Sequence, residues 1–418
     1  MRPYHRPRRL ASAVLILVFS ATIVAARELP RIPVWLEGSA ARAPALSAEA
    51  GILLDYDTGT VLFEKRADRV IPPASLTKVM TIHLALELSR DGVISLDEDF
   101  PVPEAAWARN MPPDSSLMFL GPGQSVDLRQ LLVGLSVASG NDAAVAVALR
   151  LAGSVPAFVE LMNAEAARLG YPVMQFADPA GLSPRNQVTP REYADFVRHH
   201  ITRWPETLDE VYSVPRIVYP TEANFDSVMI GGSVRQENRN DLLFDYEGVD
   251  GLKTGFIEAS GYNLAVTAER NGRRLIAVVL GVRAGSVAEG SRRRAEDAAS
   301  LLDYGFAEFA HLSPRAPGAE RVRVWKGRRD ELRAVPAGAP PRVIVPRGRA
   351  AGVAVRVDVP AEVTAPVEAS QEIGTASYML GESEIARVGL VSDRTVERAG
   401  LFKRLWHTLR LFARRLFG

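Results

Sequence analysis

The chain contains no cysteine. That absence removes disulfides, thiolate metal sites and a cysteine nucleophile. Histidine is scarce as well. His5, His83, His199, His200, His311 and His407 are the six present, none in an H-E-x-x-H or comparable ligand spacing, so a catalytic zinc site is not expected. A charge excess of one sign is also missing. The formal balance is +1, which leaves no chain-wide basic field for nucleic acid. Lysine is rare: Lys65, Lys78, Lys253, Lys326 and Lys403 stand among 50 basic residues, and the other 45 are Arg. Arginine keeps its proton in a protein whereas lysine can lose it, so where this chain places a lysine is informative.

What is present is globular in character. With 418 residues, 47% of them hydrophobic and 24% charged, the chain fits two domains with appendages better than one. Residues 1–26 read as a secretory signal: Arg2, Arg6, Arg8 and Arg9 precede an apolar run from Leu10 to Val24, and Val24-Ala25-Ala26 offers small residues for cleavage. The alternative is an uncleaved anchor, although the run is short for a span of roughly 20 residues. Either reading sends the rest of the chain out of the cytoplasm. Residues 27–45 are Pro- and Ala-rich and are expected to form an extended lead-in.

At the other end, Leu401, Phe402, Leu405, Trp406, Leu409, Phe412, Leu416 and Phe417 share one half of a helical wheel. Lys403, Arg404, His407, Arg410, Arg414 and Arg415 share the other, and only Leu411 strays. A basic face opposite Trp and Phe describes a helix lying in a membrane interface. The plainer reading is a helix packed on its own domain.

Between these ends, residues 46–312 read as one α/β (α+β) domain on a largely antiparallel sheet with helices between its strands. A hairpin is expected at 51–64 around Asp57-Thr58-Gly59, and another from Tyr262 to Val282 with Asn271-Gly272 as its turn. Pro72-Pro73 opens a helix through Lys78 and His83, and a last helix runs from about Arg292 to Phe309. Residues 313–319 are a linker by composition. Short alternating runs over 320–396 then indicate a small all-β, sandwich-like domain, and residues 397–418 carry the amphipathic helix.

Three short elements carry chemistry. Ser75-Leu76-Thr77-Lys78 starts a helix, where residues three apart share a face. A serine hydroxyl needs a base before it can attack, and a neutral lysine amine can be that base. An ordinary lysine pKa of about 10.4 leaves on the order of one amine in a thousand neutral at pH 7, so burial and nearby cations are required. The apolar flanks, Pro72 to Thr81, argue against an exposed surface lysine. Ser139-Gly140-Asn141 could relay a proton and bind an amide. It could equally be a helix-breaking turn with an N-cap. Lys253-Thr254-Gly255, on a strand edge, suits recognition of a terminal carboxylate, against the alternative of a solvated strand lysine.

S-x-x-K, S-x-N and K-T-G in that order resemble the signature of penicillin-binding proteins and serine β-lactamases. Ile52–Thr81, Leu131–Ala144, Asp178–Leu182 and Asn238–Leu264 resemble the D-Ala-D-Ala carboxypeptidase family more closely, over about residues 45–310. The β domain and basic tail resemble that family's membrane-tethered members. The resemblance implies a penicillin-binding/β-lactamase-like transpeptidase domain with an antiparallel sheet and a helical subdomain. It implies Ser75 as nucleophile, Lys78 as base, Ser139 as proton relay and Asn141 as a substrate-backbone ligand. Lys253, Thr254 and Gly255 would receive the terminal carboxylate, and the N–H groups of Ser75 and Phe256 would form the oxyanion hole. Arg239 and Arg294 would stand nearby. No cofactor or metal is implied. The implied partners are peptidoglycan stem peptides ending in D-Ala-D-Ala, β-lactam antibiotics and the outer face of the bacterial cytoplasmic membrane, with no nucleic acid. A class A β-lactamase is the nearest rival, but no E-x-x-L-N stretch lies between Asn141 and Lys253. A wall-binding scaffold without turnover is the non-enzyme rival, and every catalytic position is filled.

Overall fold

The structure is a computed structural model that describes residues 29–33, 36, 43–225, 231–314, 317–339 and 341–417. The expected signal segment, most of the lead-in and two linker residues lie outside that set.

Strands β1 (Ala50–Asp55) and β2 (Val61–Lys65) form the first hairpin. A 3₁₀ turn, Ala74–Thr77, leads into helix α1 (Lys78–Arg90). The helical subdomain continues with α2 (Leu128–Ser136), α3 (Asn141–Ala152), α4 (Val155–Arg168) and α5 (Pro190–Arg203). Their starts follow local chemistry. Asp127, Ser154 and Thr189 each accept a backbone N–H as N-caps, and Pro156 and Pro190 occupy first-turn positions where no donor is missed. A small ribbon of β3 (Arg216–Tyr219) and β4 (Val234–Glu237), not foreseen from the sequence, follows. The chain then returns to the main sheet as β5 (Val249–Ile257), β6 (Gly261–Arg270) and β7 (Arg273–Val282), and closes the domain with α6 (Val287–Glu308).

The main sheet is antiparallel throughout, in the order β2-β1-β7-β6-β5. Its central strands are buried on both faces. Ile52, Leu54, Ile276 and Val278 join the core under the helical subdomain. Leu53, Leu275, Ala277 and Val279, on the opposite face, pack with Leu301 and Leu302 of α6. The helices and α6 thus sandwich the sheet, and β5 is left as an edge strand.

The last helix of this domain starts at Val287, five residues before the expected Arg292, with Ser286 Oγ accepting the Glu289 N–H as its cap. Gly290 obscured that first turn. A Cβ there would come within 2.2 Å of the Tyr262 ring, so close packing excludes any better helix former.

Beyond α6, β8 (Phe309–Leu312) leads toward the C-terminal region. That region contains β9 (Glu320–Trp325), β10 (Glu331–Pro336), β11 (Val343–Pro346), β12 (Val353–Asp358), β13 (Glu362–Thr364), β14 (Glu372–Leu380) and β15 (Ser383–Ser392). Six of these form one sheet, β12-β14-β15-β10-β9-β13, around their own core of Val322, Val324, Leu332 and Leu390. β8 pairs with β11, so hydrogen bonds cross the compositional linker.

Helix α7 (Leu401–Phe417) docks on this sheet by its polar face. Lys403 Nζ meets Asp330 at 2.8 Å, His407 Nδ1 accepts the Lys326 N–H at 2.8 Å and Arg414 meets Glu362 at 3.0 Å. Leu401, Phe402, Leu405, Trp406, Leu409 and Phe412 point outward, from 55 to 92% exposed. The helix does pack on its own domain, but through the face opposite the one that packing for burial would choose. Among the described residues no single helix is long and apolar enough to cross a membrane.

Candidate active site

The site is built where α1, the α2–α3 turn, β5 and the loop 178–183 meet. Ala74, just before Ser75, has φ +53°, a left-handed conformation that is unfavourable for a residue with a Cβ. Two glycines press on it from different segments. A Cβ on Gly181 would lie 1.8 Å from the Ala74 carbonyl oxygen, and one on Gly255 would lie 2.8 Å from Pro73 O and 3.0 Å from Ser75 N. Strand β5 therefore runs directly against the turn that presents Ser75.

Lys78 is fully buried at the start of α1. Its Nζ has three neighbours: Ser75 Oγ at 3.0 Å, Asn141 Oδ1 at 2.8 Å and the Ala180 carbonyl at 2.7 Å. Burial pushes its pKa down to about 7, with Arg239 adding to the fall and the carboxylates of Asp178 and Asp142 opposing it. The geometry assigns the hydrogens. The amide and peptide oxygens can only accept, so a neutral amine spends both N–H groups on them. Its lone pair is left facing the serine hydroxyl.

The two acids close to Lys78 are occupied by backbone. Asp142 accepts the N–H groups of Met118, Phe119, Leu120 and Ala143, which fixes the segment over the second motif. Asp178 accepts those of Ala180, Gly181, Leu182 and Ser183, which shapes the loop bearing the Ala180 carbonyl. Asp178 and Ala180 fall in the Asp178–Leu182 stretch that carries the family resemblance, with no role assigned to either. Nothing in that stretch indicates a carbonyl meeting an amine 102 residues away.

Ser139 is buried and left-handed, at φ +57°. Asn141 begins α3, and its N–H donates to Ser116 O, so the S-G-N turn is also a helix start. Lys253 is only 1% exposed, which excludes a solvated strand lysine; its Nζ donates to Thr254 O at 3.1 Å. Burial, then Lys78, Arg239 and Arg294, push its pKa well below the ordinary value. Arg294 is buried beside it, and burial brings it down to about 10.

Ser75, Ser139, Asn141, Thr254, Gly255, Phe256, Arg239 and Arg294 line one cleft of about 590 Å³. Lys78 and Lys253 lie buried behind this lining, Lys78 Nζ reaching Ser75 Oγ and Asn141 Oδ1 and Lys253 preceding Thr254 on β5. No group of three or more His, Cys, Asp or Glu able to hold a metal occurs among the described residues.

Residues 37–284 match the D-alanyl-D-alanine carboxypeptidase family, and residues 314–398 match the C-terminal domain of penicillin-binding protein 5. The chain belongs to the D-alanyl-D-alanine carboxypeptidase family. It is 34% identical to D-alanyl-D-alanine carboxypeptidase DacC of Escherichia coli K12, over 98% of this chain and 96% of that one. It is also 34% identical to DacA of Haemophilus influenzae, over 90% and 92%. Among solved structures, penicillin-binding protein 5 from Haemophilus influenzae superposes with a TM-score of 0.71 at 32% identity, covering 85% of this chain and 99% of that one. Penicillin-binding protein D2 from Listeria monocytogenes, solved in its ampicillin-bound form, covers 63% of this chain and 100% of its own, with a TM-score of 0.52 at 29% identity. This carboxypeptidase is a serine hydrolase with the fold of the penicillin-binding proteins.

Proposed function

We propose that this carboxypeptidase removes the terminal D-alanine from cell-wall pentapeptides through an ester on Ser75, and that penicillins form the same ester. One observation carries the reading: two obligate acceptors fix Lys78 Nζ so that its lone pair faces Ser75 Oγ at 3.0 Å.

Ser75 gives its proton to Lys78 and attacks the carbonyl between the two D-Ala residues. Backbone N–H groups of Ser75 and Phe256 stabilise the oxyanion. Losing one such donor costs about a hundred- to a thousandfold in rate, so the pinned turn at Ala74 matters as much as the nucleophile. Ser139 passes a proton to the departing D-alanine amine and Asn141 holds the substrate backbone. Lys253, Thr254, Gly255 and Arg239 receive the free carboxylate. Water then hydrolyses the ester.

The same reading places the protein outside the cytoplasm, on the outer face of the cytoplasmic membrane. The outward apolar face of α7 supports a peripheral attachment there, with Lys403 and Arg414 of the opposite face engaged by Asp330 and Glu362.

Mass spectrometry of the protein after separate incubation with benzylpenicillin and with a D-Ala-D-Ala pentapeptide tests the reading. The expected result is one penicilloyl group on the peptide containing Ser75, and free D-alanine from the pentapeptide. Ser75→Ala should abolish both; continued D-alanine release by that variant overturns the assignment.

A further inference from the structure

The helical core holds a chain of buried titratable groups that the cleft chemistry does not use. His83 on α1 and His200 on α5 are both fully buried, with their Nδ1 atoms 3.2 Å apart. His83 Nε2 lies 3.1 Å from Glu165 Oε1 on α4, and Arg168 clamps that carboxylate at 2.7 and 2.6 Å. His200 Nε2 lies 2.8 Å from the hydroxyl of Tyr212, at the end of a single π-helical turn, Leu208–Tyr212.

With both imidazoles neutral, one arrangement of protons satisfies every contact. Burial pushes Glu165 up, but Arg168 and His83 outweigh it and hold the carboxyl at about 2, so it is an acceptor only. His83 Nε2–H donates to it. His83 Nδ1 then accepts from His200 Nδ1–H, and His200 Nε2 accepts the Tyr212 O–H. One further proton breaks this order; burial, with His83 and His199 adding to it, pushes His200 well below the ordinary imidazole range, so this proton enters only in acid. Whether it rests on His83 beside Glu165 or on His200, the Nε2 of His200 must now carry a hydrogen. Tyr212 changes from donor to acceptor, and its own O–H loses the one partner it has among the described residues. An unpaired buried hydroxyl is costly.

Tyr212 also anchors the cationic end of the cleft. Its carbonyl accepts from Asn238 Nδ2, Asn238 Oδ1 accepts the Asn240 N–H, and Asn240 Nδ2 donates to Gly251 O. Arg239 stands between those two asparagines, and Gly251 lies two residues before Lys253. A Cβ on Gly251 would sit 3.2 Å from Tyr212 Cβ, so β5 runs directly over this tyrosine. The other groups facing the chain are His199 on α5, whose ring is 5.6 Å from His83, Tyr193 on α5 near Tyr212, and Glu87 on α1, paired with Arg203 and near Arg168.

We propose that Tyr212 is a positioning residue for the carboxylate-binding end of the cleft, and that uptake of one proton by the His83–His200 pair frees its hydroxyl and loosens that end. The inference rests on the role given above to Lys253, Thr254 and Arg239.

The test uses the full-length Ser75→Ala protein, which binds a D-Ala-D-Ala pentapeptide without turnover, with and without Tyr212→Phe. Protonation of Lys78 and Lys253 on acidification tightens carboxylate binding in both backgrounds, so the comparison between them isolates the tyrosine. Between pH 7.5 and 4.5, a window extended into acid because His200 is depressed, the dissociation constant should change in the weakening direction by at least about threefold more with Tyr212 than with Tyr212→Phe. Nitrogen NMR of the imidazoles should show His200 moving from the Nδ1–H to the Nε2–H form over the same range. Where Tyr212→Phe does not fold, His200→Gln replaces it. Gln keeps an acceptor for the tyrosine and cannot take up the proton, so the same loss of the extra pH dependence is expected. Equal pH dependence in both backgrounds, or a His200 tautomer that does not change, overturns the proposal. No peptide binding at either pH in either background overturns it together with the functional reading beneath it.

Discussion

Acylation should depend on pH through Lys78 in a way that its surroundings define. The attacking system needs the neutral amine, and burial brings Lys78 from 10.5 to about 7. The sign follows: the folded pKa is depressed, so the active form is gained as pH rises through about 7 and is lost below it. About half the molecules then carry a neutral amine at pH 7, and about one in thirty at pH 5.5. The limiting rate of acylation should rise about thirtyfold from pH 5.5 to 8 and then level off. A lysine left at 10.5 would give a tenfold rise per unit well past pH 9, with no plateau. Stopped-flow measurement with a fluorescent penicillin at saturating concentration reads this constant, and saturation removes any pH effect on binding. Lys78→Arg should flatten the profile and lower the rate by about two to four orders of magnitude, because a guanidinium does not deprotonate. Arg239→Gln should move the midpoint upward, since that cation helps to depress Lys78. A flat wild-type profile, a rise continuing beyond pH 9, or a Lys78→Arg variant acylating at more than about a tenth of the wild-type rate would refute the assignment of the base.

Gly181→Ala should both destabilise and inactivate. Its Cβ would meet Ala74 O at 1.8 Å from a backbone at φ +86°, so thermal unfolding should report a loss of about 2–4 kcal/mol and acylation should fall at least about tenfold; wild-type values for both would contradict the pinned turn. Replacing Leu405, Trp406, Leu409 and Phe412 by Gln should leave hydrolysis of a soluble peptide unchanged. Binding to anionic vesicles should weaken by at least about a hundredfold, since each apolar side chain withdrawn from a membrane forfeits about 1.5–3 kcal/mol when fully buried. Undiminished vesicle binding would place the attachment elsewhere.

Much of this was legible in the chain because the relevant physics is local. The spacing of Ser75 and Lys78 is one helical turn, and the Asn271-Gly272 hairpin follows from short-range rules. What stayed hidden depends on distant segments. Ala74 and Ser139 carry side chains at left-handed φ, which nothing in their neighbours announces and which the surrounding structure must impose. The third partner of Lys78 is a peptide carbonyl, and any residue supplies one, so composition could not select Ala180. The wheel for α7 separated its two faces correctly but could not say which one docks, because that depends on Asp330 and Glu362 in the preceding sheet. Lys65 lies outside the three chemical motifs, yet its Nζ donates to Leu46 O and Ala48 O and ties the chain before β1 to the hairpin.

The charge distribution around the cleft links these observations. Lys253 is depressed by Lys78, Arg239 and Arg294, and the acids that act on Lys78, Asp142 and Asp178, are turned toward backbone N–H groups. Burial first and this clustering of like charge second are why the site's lysines give up protons readily, although Asp241 stands near Arg294. An anion entering beside Lys253 reverses that balance: it favours the charged form of this lysine and so draws in a proton as it binds. Lys78 faces the opposite demand, since it must stay neutral to accept the serine proton. Its two obligate acceptors, Asn141 Oδ1 and Ala180 O, belong to separate segments, and only its third contact is with Ser75. In the proposed mechanism the two buried lysines therefore take opposite protonation states, one facing an approaching carboxylate and the other a hydroxyl. That division requires the carboxylate to arrive at β5 rather than at α1, two elements that the close approach of Gly255 to Ser75 sets side by side.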